Sequence, residues 1–505
     1  MHTTIAGTIV AALAMFAASP AAGQEQASPA GERTSVDLTV YNQGLALVRE
    51  ERPLSLQKGT GRVVLPDIPS TIDGTSVHFL SLTDPSGVKV LEQNYQYDLV
   101  HQAKVLEKYI GKTVEFIRVD PATDREYTVS GRLLSTGYIP IPQGGRHGVA
   151  WNYTGGMIAE VGGKIEINPA GRLVLPGLPE GLILRPQLEW LVASRREGTH
   201  RTEVSYLAGA LSWSCDYVAL LGAGDDRLDL TGWVTLTNNS GTSFKNAGLK
   251  LVAGDVNVVQ DMLAGAAKSM VARSELDAME HRQFTQGELF EFKLYSLQRR
   301  TDVDDNATKQ VELVSGRNVP AAKVFIYDGI SAEWRAYARN PSYRSQGSFG
   351  QQSNTKVGVY VTFRNAEKEG LGIALPKGKV RVYKRDADGK EQFVGEDLID
   401  HTPREEELRL YLGNAFDIVG SRVQKDFTSF AGGRVVEETV EVTLRNRKKE
   451  AVEVMVYEHP WRWSEWEITR ASGSWTKLDQ TTLRFPVRLE KDQEKTVTYT
   501  IRYSW

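Results

Sequence analysis

Residues 457–468 read YEHPWRWSEWEI and gather the groups best suited to chemistry: Trp461, Trp463 and Trp466, three of the chain's ten tryptophans, beside Glu458, His459, Glu465 and Glu467. Two uses fit such a stretch. A sugar platform wants two or three indole rings on one face, and a glycosidase adds two carboxylates about 5–10 Å apart across a cleft. Glu458 and Glu465 are the pair that would serve. The other use is packing, with the indoles filling the corner of a β-sandwich. Val452, Val454 and Val456 alternate on one face, and Pro460 belongs at a strand end. A strand continued through Trp-Arg-Trp puts Trp461 and Trp463 on one side, Arg462 on the other and Trp466 out of phase. That phase favours packing. Trp461, Trp463, Trp466, Glu458 and Glu465 are the candidate ligand-binding residues, with no catalytic residue, metal ligand or cofactor assigned.

Other motifs carry less. The eight histidines are scattered, with no H-E-x-x-H spacing. Gly111-Lys112-Thr113 would need a glycine at 106 to make a phosphate loop, and Leu106 is there. Ser474-Trp475-Thr476-Lys477 has the S-x-x-K spacing of penicillin-interacting enzymes but lies in strand-like surroundings. Asp386-Ala387-Asp388-Gly389 begins like a calcium loop, yet Asp-Gly between two strand-like runs is a hairpin turn. Cys215, the single cysteine, lies in the strand-like LSWSCDYVALL and reads as a small buried thiol.

Composition bounds where such residues operate. With 41% hydrophobic and 24% charged residues the chain is ordinary globular protein, and 505 residues suggest about two to four domains. A net charge of −3 leaves no electrostatic footprint for nucleic acid. Residues 5–18 are apolar and Ala21-Ala22-Gly23 fits a small-x-small cleavage site, so 1–23 is expected to be a signal peptide and the mature chain periplasmic or secreted. No later apolar run reaches the ~18 residues of a membrane-spanning helix. One cysteine makes no internal disulfide, so the exported chain must be held by its core.

The elements that position these residues are nearly all strands. After a flexible stretch at 24–35, an N-terminal β-rich domain is expected over 36–185. It carries one helix, where Leu99, Ala103, Leu106 and Ile110 recur at helical spacing between Asp98 and Gly111. The Pro/Gly-rich 175–186 ends it. A central β domain follows over 186–433, with an Ala/Met/Glu-rich helix or loop inserted at 260–290. The module 434–505 reads as an antiparallel, immunoglobulin-like β-sandwich: Val440, Val442 and Leu444, then Leu483, Phe485, Val487 and Leu489, then Val497, Tyr499, Ile501 and Tyr503 each line one face. The fold class is therefore mainly β: a β-rich domain with one helix followed by sandwich modules.

Taken together, LDLTGWVTLTNNSGTSFKNAGLKLVAGDVN, TKQVELVSGRNVPAAKVFIYDG, GKVRVYKRDADGKEQFVGEDLIDHTPREEELRLYLGNAFDIVGSR and TVTYTIRYSW resemble bacterial domain-of-unknown-function family 4139. That family includes mucoidy-inhibitor-like exported proteins, and the resemblance covers most of 190–505. It implies an exported, mostly-β cell-envelope protein and supplies no catalytic residues. The expected role is non-enzymatic binding or scaffolding, with an envelope protein or polysaccharide as partner. The alternative is a glycan-binding or glycan-hydrolysing protein using Trp461, Trp463 and Trp466.

Overall fold

A computed structural model of the chain describes residues 28–96, 100–142, 149–153, 155–179, 182–183, 185–254, 256, 283–330, 334–347 and 353–505. The expected signal peptide at 1–23, Asp98 and Leu99, and residues 260–282 of the expected insertion lie outside them. The fold is mainly β, and its two α-helices among the described residues are Gln102–Lys108 and Trp334–Ala338. None of its described helices is long and apolar enough to cross a membrane. The chain forms two compact units, one of 48–208 with residues to 36 and 240–242, the other of 37–47, 209–239 and 243–505.

In the first unit, Gln187–Ser194 lies between Gly59–Pro66 and Val88–Gln96, antiparallel to both. Its Leu188, Trp190 and Val192 are buried and alternate with less buried residues, the period-two pattern of a half-covered sheet. A five-stranded sheet built around Thr113–Val119 and Glu126–Ser135 carries the helix Gln102–Lys108. Leu106 and Tyr109 pack there with Val114, Phe116, Leu133, Ala159 and Val161. Gly111, at φ 81, takes the left-handed conformation that closes the helix, and its N–H donates to Leu133 O at 2.7 Å. Ile110, placed on the buried face by helical spacing, is instead 48% exposed because the helix has already ended.

The second unit strings its strands through neighbouring pairings, beginning with Leu211–Leu221 between Arg227–Asn238 and Gly378–Arg385. Cys215 is buried on that first strand, and burial pushes its thiol up to about 12, which leaves it protonated and inert at neutral pH. The segment expected as an inserted helix or loop up to 290 ends instead in a hairpin, Phe284–Leu289 paired with Phe292–Leu297. Its turn residue Phe290 is 85% exposed, with φ 58. Two long strands tie the unit together. Ala307–Asp328 pairs Arg227–Asn238 with its first part and Lys356–Arg364 with its second. Glu407–Phe430 pairs Lys356–Arg364 and then Val435–Asn446.

The expected 434–505 sandwich sits at the end of this run as two layers. One holds Val435–Asn446, Glu494–Ser504 and Trp466–Ala471, and the other holds Val452–Glu458, Thr482–Leu489 and Thr476–Asp479. Val440, Val442, Tyr499 and Ile501 share one core with Val454, Val456, Phe485 and Val487. Strands from before residue 434 complete both layers: Val435–Asn446 pairs Glu407–Phe430, and Val452–Glu458 runs parallel to Ala307–Asp328. Asp386 sits in the expected hairpin turn. Its carboxylate accepts from the N–H groups of Asp388 and Lys390 and from Gln392 Nε2, at 2.9–3.0 Å, and so ties the turn together. Ser474 lies in the connection before Thr476–Asp479, and Lys477 turns onto the Trp466 ring, so S-x-x-K is a chance spacing.

Candidate functional site: a buried charge layer beneath the tryptophans

The strand Val452–Glu458 delivers the cluster. Its inward positions are Val452, Val454, Val456 and then Glu458, so the alternation that builds the core carries a carboxylate into it. Glu458 has no accessible surface. Arg422 Nε donates to both its oxygens, at 3.1 and 2.9 Å, and the Tyr499 hydroxyl donates to it as well. Arg422 reaches it from an inward position of Glu407–Phe430, in phase with Ile418 and Gly420. Burial alone would lower the Arg422 pKa, but the Glu458 charge and hydrogen bond, with Tyr499 and Glu438, raise it.

A second pair lies alongside. Glu438 shares the buried face of its strand with Val436, Val440 and Val442. It accepts from Arg462 Nη2 at 2.9 Å and Gln424 Nε2 at 2.7 Å, and Tyr503 bonds it too. Burial opposes its charge, but Arg462, with help from Arg422 and Gln424, holds the carboxyl below the usual carboxylate range. Two arginines and two glutamates thus form a neutral layer inside the sandwich. Desolvating charges is costly, and the pairing of each arginine with a glutamate offsets it, although Arg462 Nε and Gln424 Oε1 are buried without a hydrogen-bond partner.

The chain leaves strand geometry at His459 and Pro460 and resumes it at Trp466. The strand phase expected for Trp-Arg-Trp therefore does not apply, and Arg462 turns inward with Trp461 rather than away from it. Trp461 is 6% exposed and Arg462 1%. The Arg462 guanidinium stacks 4.5 Å from the Trp461 ring and 4.9 Å from Phe427. Its Nη1 donates to three carbonyls, Tyr343 O, Arg344 O and Gln346 O, at 2.9–3.2 Å. Trp463 is half-buried against the core, with the Arg344 guanidinium 4.1 Å above its ring. Trp466 is half-buried too. Its Nε1 donates to Gln480 O at 2.8 Å and Lys477 covers its ring at 4.4 Å. Each indole thus has its own cover.

The candidate carboxylates divide. Glu458 lies inside the layer. Glu465 is exposed, and its backbone carbonyl accepts from Ser504 N–H at 3.2 Å. Glu467 is exposed and pairs with Arg502 at 3.2 Å. Among the described residues no group of three or more His, Cys, Asp or Glu side chains is placed to hold a metal ion. Elsewhere in the unit an open groove of about 510 Å³ lies where Ala307–Asp328 changes partner, with Ala321, Ala322 and Phe363 in its lining and Glu369, Glu406 and Glu407 around them. Glu405, also at this groove, is engaged by Arg364 at 3.5 Å.

The spacing of 457–468 marked the tryptophans and Glu458 but not Arg422, Glu438 or Tyr499. A signal existed for two of these. Arg422 and Glu438 each interrupt an apolar alternation in phase, and a charge at an inward strand position implies an opposite charge facing it. The chain matches no family model and no curated protein.

Proposed function

We propose that this chain is an exported cell-envelope protein, related to the family 4139 it resembles. In this reading it binds or scaffolds an envelope protein or polysaccharide and performs no chemistry at the 457–468 cluster. The observation that carries the reading is Glu458, which has no accessible surface and is bonded by Arg422 and Tyr499. A carboxylate so placed reaches no substrate, and the paired charges give a rigid scaffold instead. The exposed side of such a scaffold is where partners bind. Glu391–Ile399, the last strand of its run, exposes Phe393 and Leu398, and the nearby strand Glu407–Phe430 exposes Phe416 at 96%. The groove at the strand crossover adds a concave surface.

Fractionation of bacterial cells expressing the full chain, followed by retention of envelope extracts on the purified protein, tests this. The expected result is a periplasmic or secreted chain shortened near residue 23, saturable retention of an envelope component and no cleavage of envelope polysaccharide. An unprocessed cytoplasmic chain, or release of soluble sugar, would overturn it.

A further inference from the structure

Residues 334–347 lie across the cluster as a strap. The short helix Trp334–Ala338 and the 3-10 turn Pro341–Tyr343 contain no buried residue, yet the residues beneath, Trp461 and Arg462, are buried. The strap is held by a few specific contacts rather than by a core. Tyr337 meets Trp461 with ring centroids 5.9 Å apart, Arg344 covers Trp463, and the Arg462 fork takes the three strap carbonyls. Trp334 stacks on the His459 ring at 4.7 Å with 12° between the planes.

His459 is placed by the parallel pairing that sets Tyr457 against Asp328. Its Nε2 lies 3.1 Å from Asp328 Oδ2 and its Nδ1 3.0 Å from Thr481 O. Both partners are acceptors. A neutral imidazole has one N–H, so one of its nitrogens must point a lone pair at an oxygen, whereas the imidazolium donates to both. A cationic ring also stacks better on an indole face. The charged groups around it are Asp328, Glu458 next in the chain, Asp479 at the end of the strand Thr476–Asp479, and Arg335, which lies 5.4 Å over Trp334.

We propose that His459 is a pH-sensitive latch for this strap, closing it over Trp461, Trp463 and Arg462 as the imidazolium and loosening it as the neutral ring. Burial pulls the pKa of His459 down, but the Asp328 hydrogen bond and charge, Thr481 O and Glu458 raise it overall. With the closed-state value raised, the extra hold is complete below the ordinary histidine range and is lost as pH rises through the closed-state value. Opening bares an aromatic face beside Arg462 Nη1, whose present partners are the three strap carbonyls, while Nη2 stays on Glu438.

Hydrogen exchange on the full chain at pH 6 and pH 8, corrected for intrinsic rates, tests the latch. Protection across 334–347 is expected to fall with rising pH by on the order of tenfold per pKa unit of the shift, while the core strand Val452–Glu458 does not change. His459→Gln is expected to abolish the pH dependence, and Asp328→Asn to move the loss of protection to lower pH. Equal wild-type protection at both pH values, or a pH dependence that survives in His459→Gln, would overturn the proposal. If His459→Gln does not fold, Asp328→Asn decides, and an unmoved midpoint refutes the latch.

Discussion

Replacing Glu458 with alanine is expected to destabilise its unit by about 3–5 kcal/mol, the usual cost of leaving one half of a buried ion pair alone. Arg422 is 4% exposed, and without Glu458 its guanidinium loses the carboxylate that its Nε bonds while staying out of reach of bulk water. The Tyr499 hydroxyl loses its acceptor in the same step. The paired replacement Arg422→Met with Glu458→Leu is expected to be milder, about 1–3 kcal/mol, because both charge-desolvation costs vanish together and the Tyr499 hydroxyl alone is left without its acceptor. Chemical denaturation followed by tryptophan fluorescence measures this, comparing the transition of the second unit across variants rather than fitting the whole chain as one two-state system. Equal losses in the single and double variants would mean that volume, not charge, governs the site.

Arg462→Ala is expected to cost a similar amount, about 3–5 kcal/mol, and to free the strap. The substitution takes from Glu438 its hydrogen-bonded charge partner, removes three bonds to strap carbonyls and uncovers the rings of Trp461 and Phe427. Arg462→Lys is expected to recover little, since a single ammonium cannot span Glu438 and the three carbonyls as the planar fork does. The effect also has a pH signature. The folded-state pKa of Glu438 is depressed, so its contribution is present above the ordinary carboxylate value and is lost as pH falls through the folded value. Arg462→Ala removes the main group that depresses it, so the acid limb of the stability profile should move to higher pH. An acid limb identical to wild type would refute this pairing.

The sandwich was legible in the sequence because its strands alternate cleanly, as in Val440, Val442 and Leu444 against Phe485 and Val487, and burial follows that period directly. Glu458 continues the phase of Val452, Val454 and Val456, so its inward position was also readable. The phase argument failed at Trp461 and Arg462. It presumes a strand, and Pro460 removes a backbone donor where the chain turns instead. Nothing local linked Trp334 to His459, because their contact depends on the parallel pairing of Val452–Glu458 with the end of Ala307–Asp328. Long-range register of that kind is invisible to periodicity. So was the tying of 434–505 into earlier strands, since sequence spacing marks strand ends but not partners.

The central claim is that residues 457–468 pack rather than bind sugar, and Trp463, half-buried beneath Arg344, is its sharpest point. Glycan-array binding by the wild-type chain and by Trp463→Ala, with thermal stability measured for both, tests it most directly. The expected result is no glycan signal that depends on Trp463. Binding by the wild type that disappears in a Trp463→Ala variant of unchanged thermal stability would contradict the account.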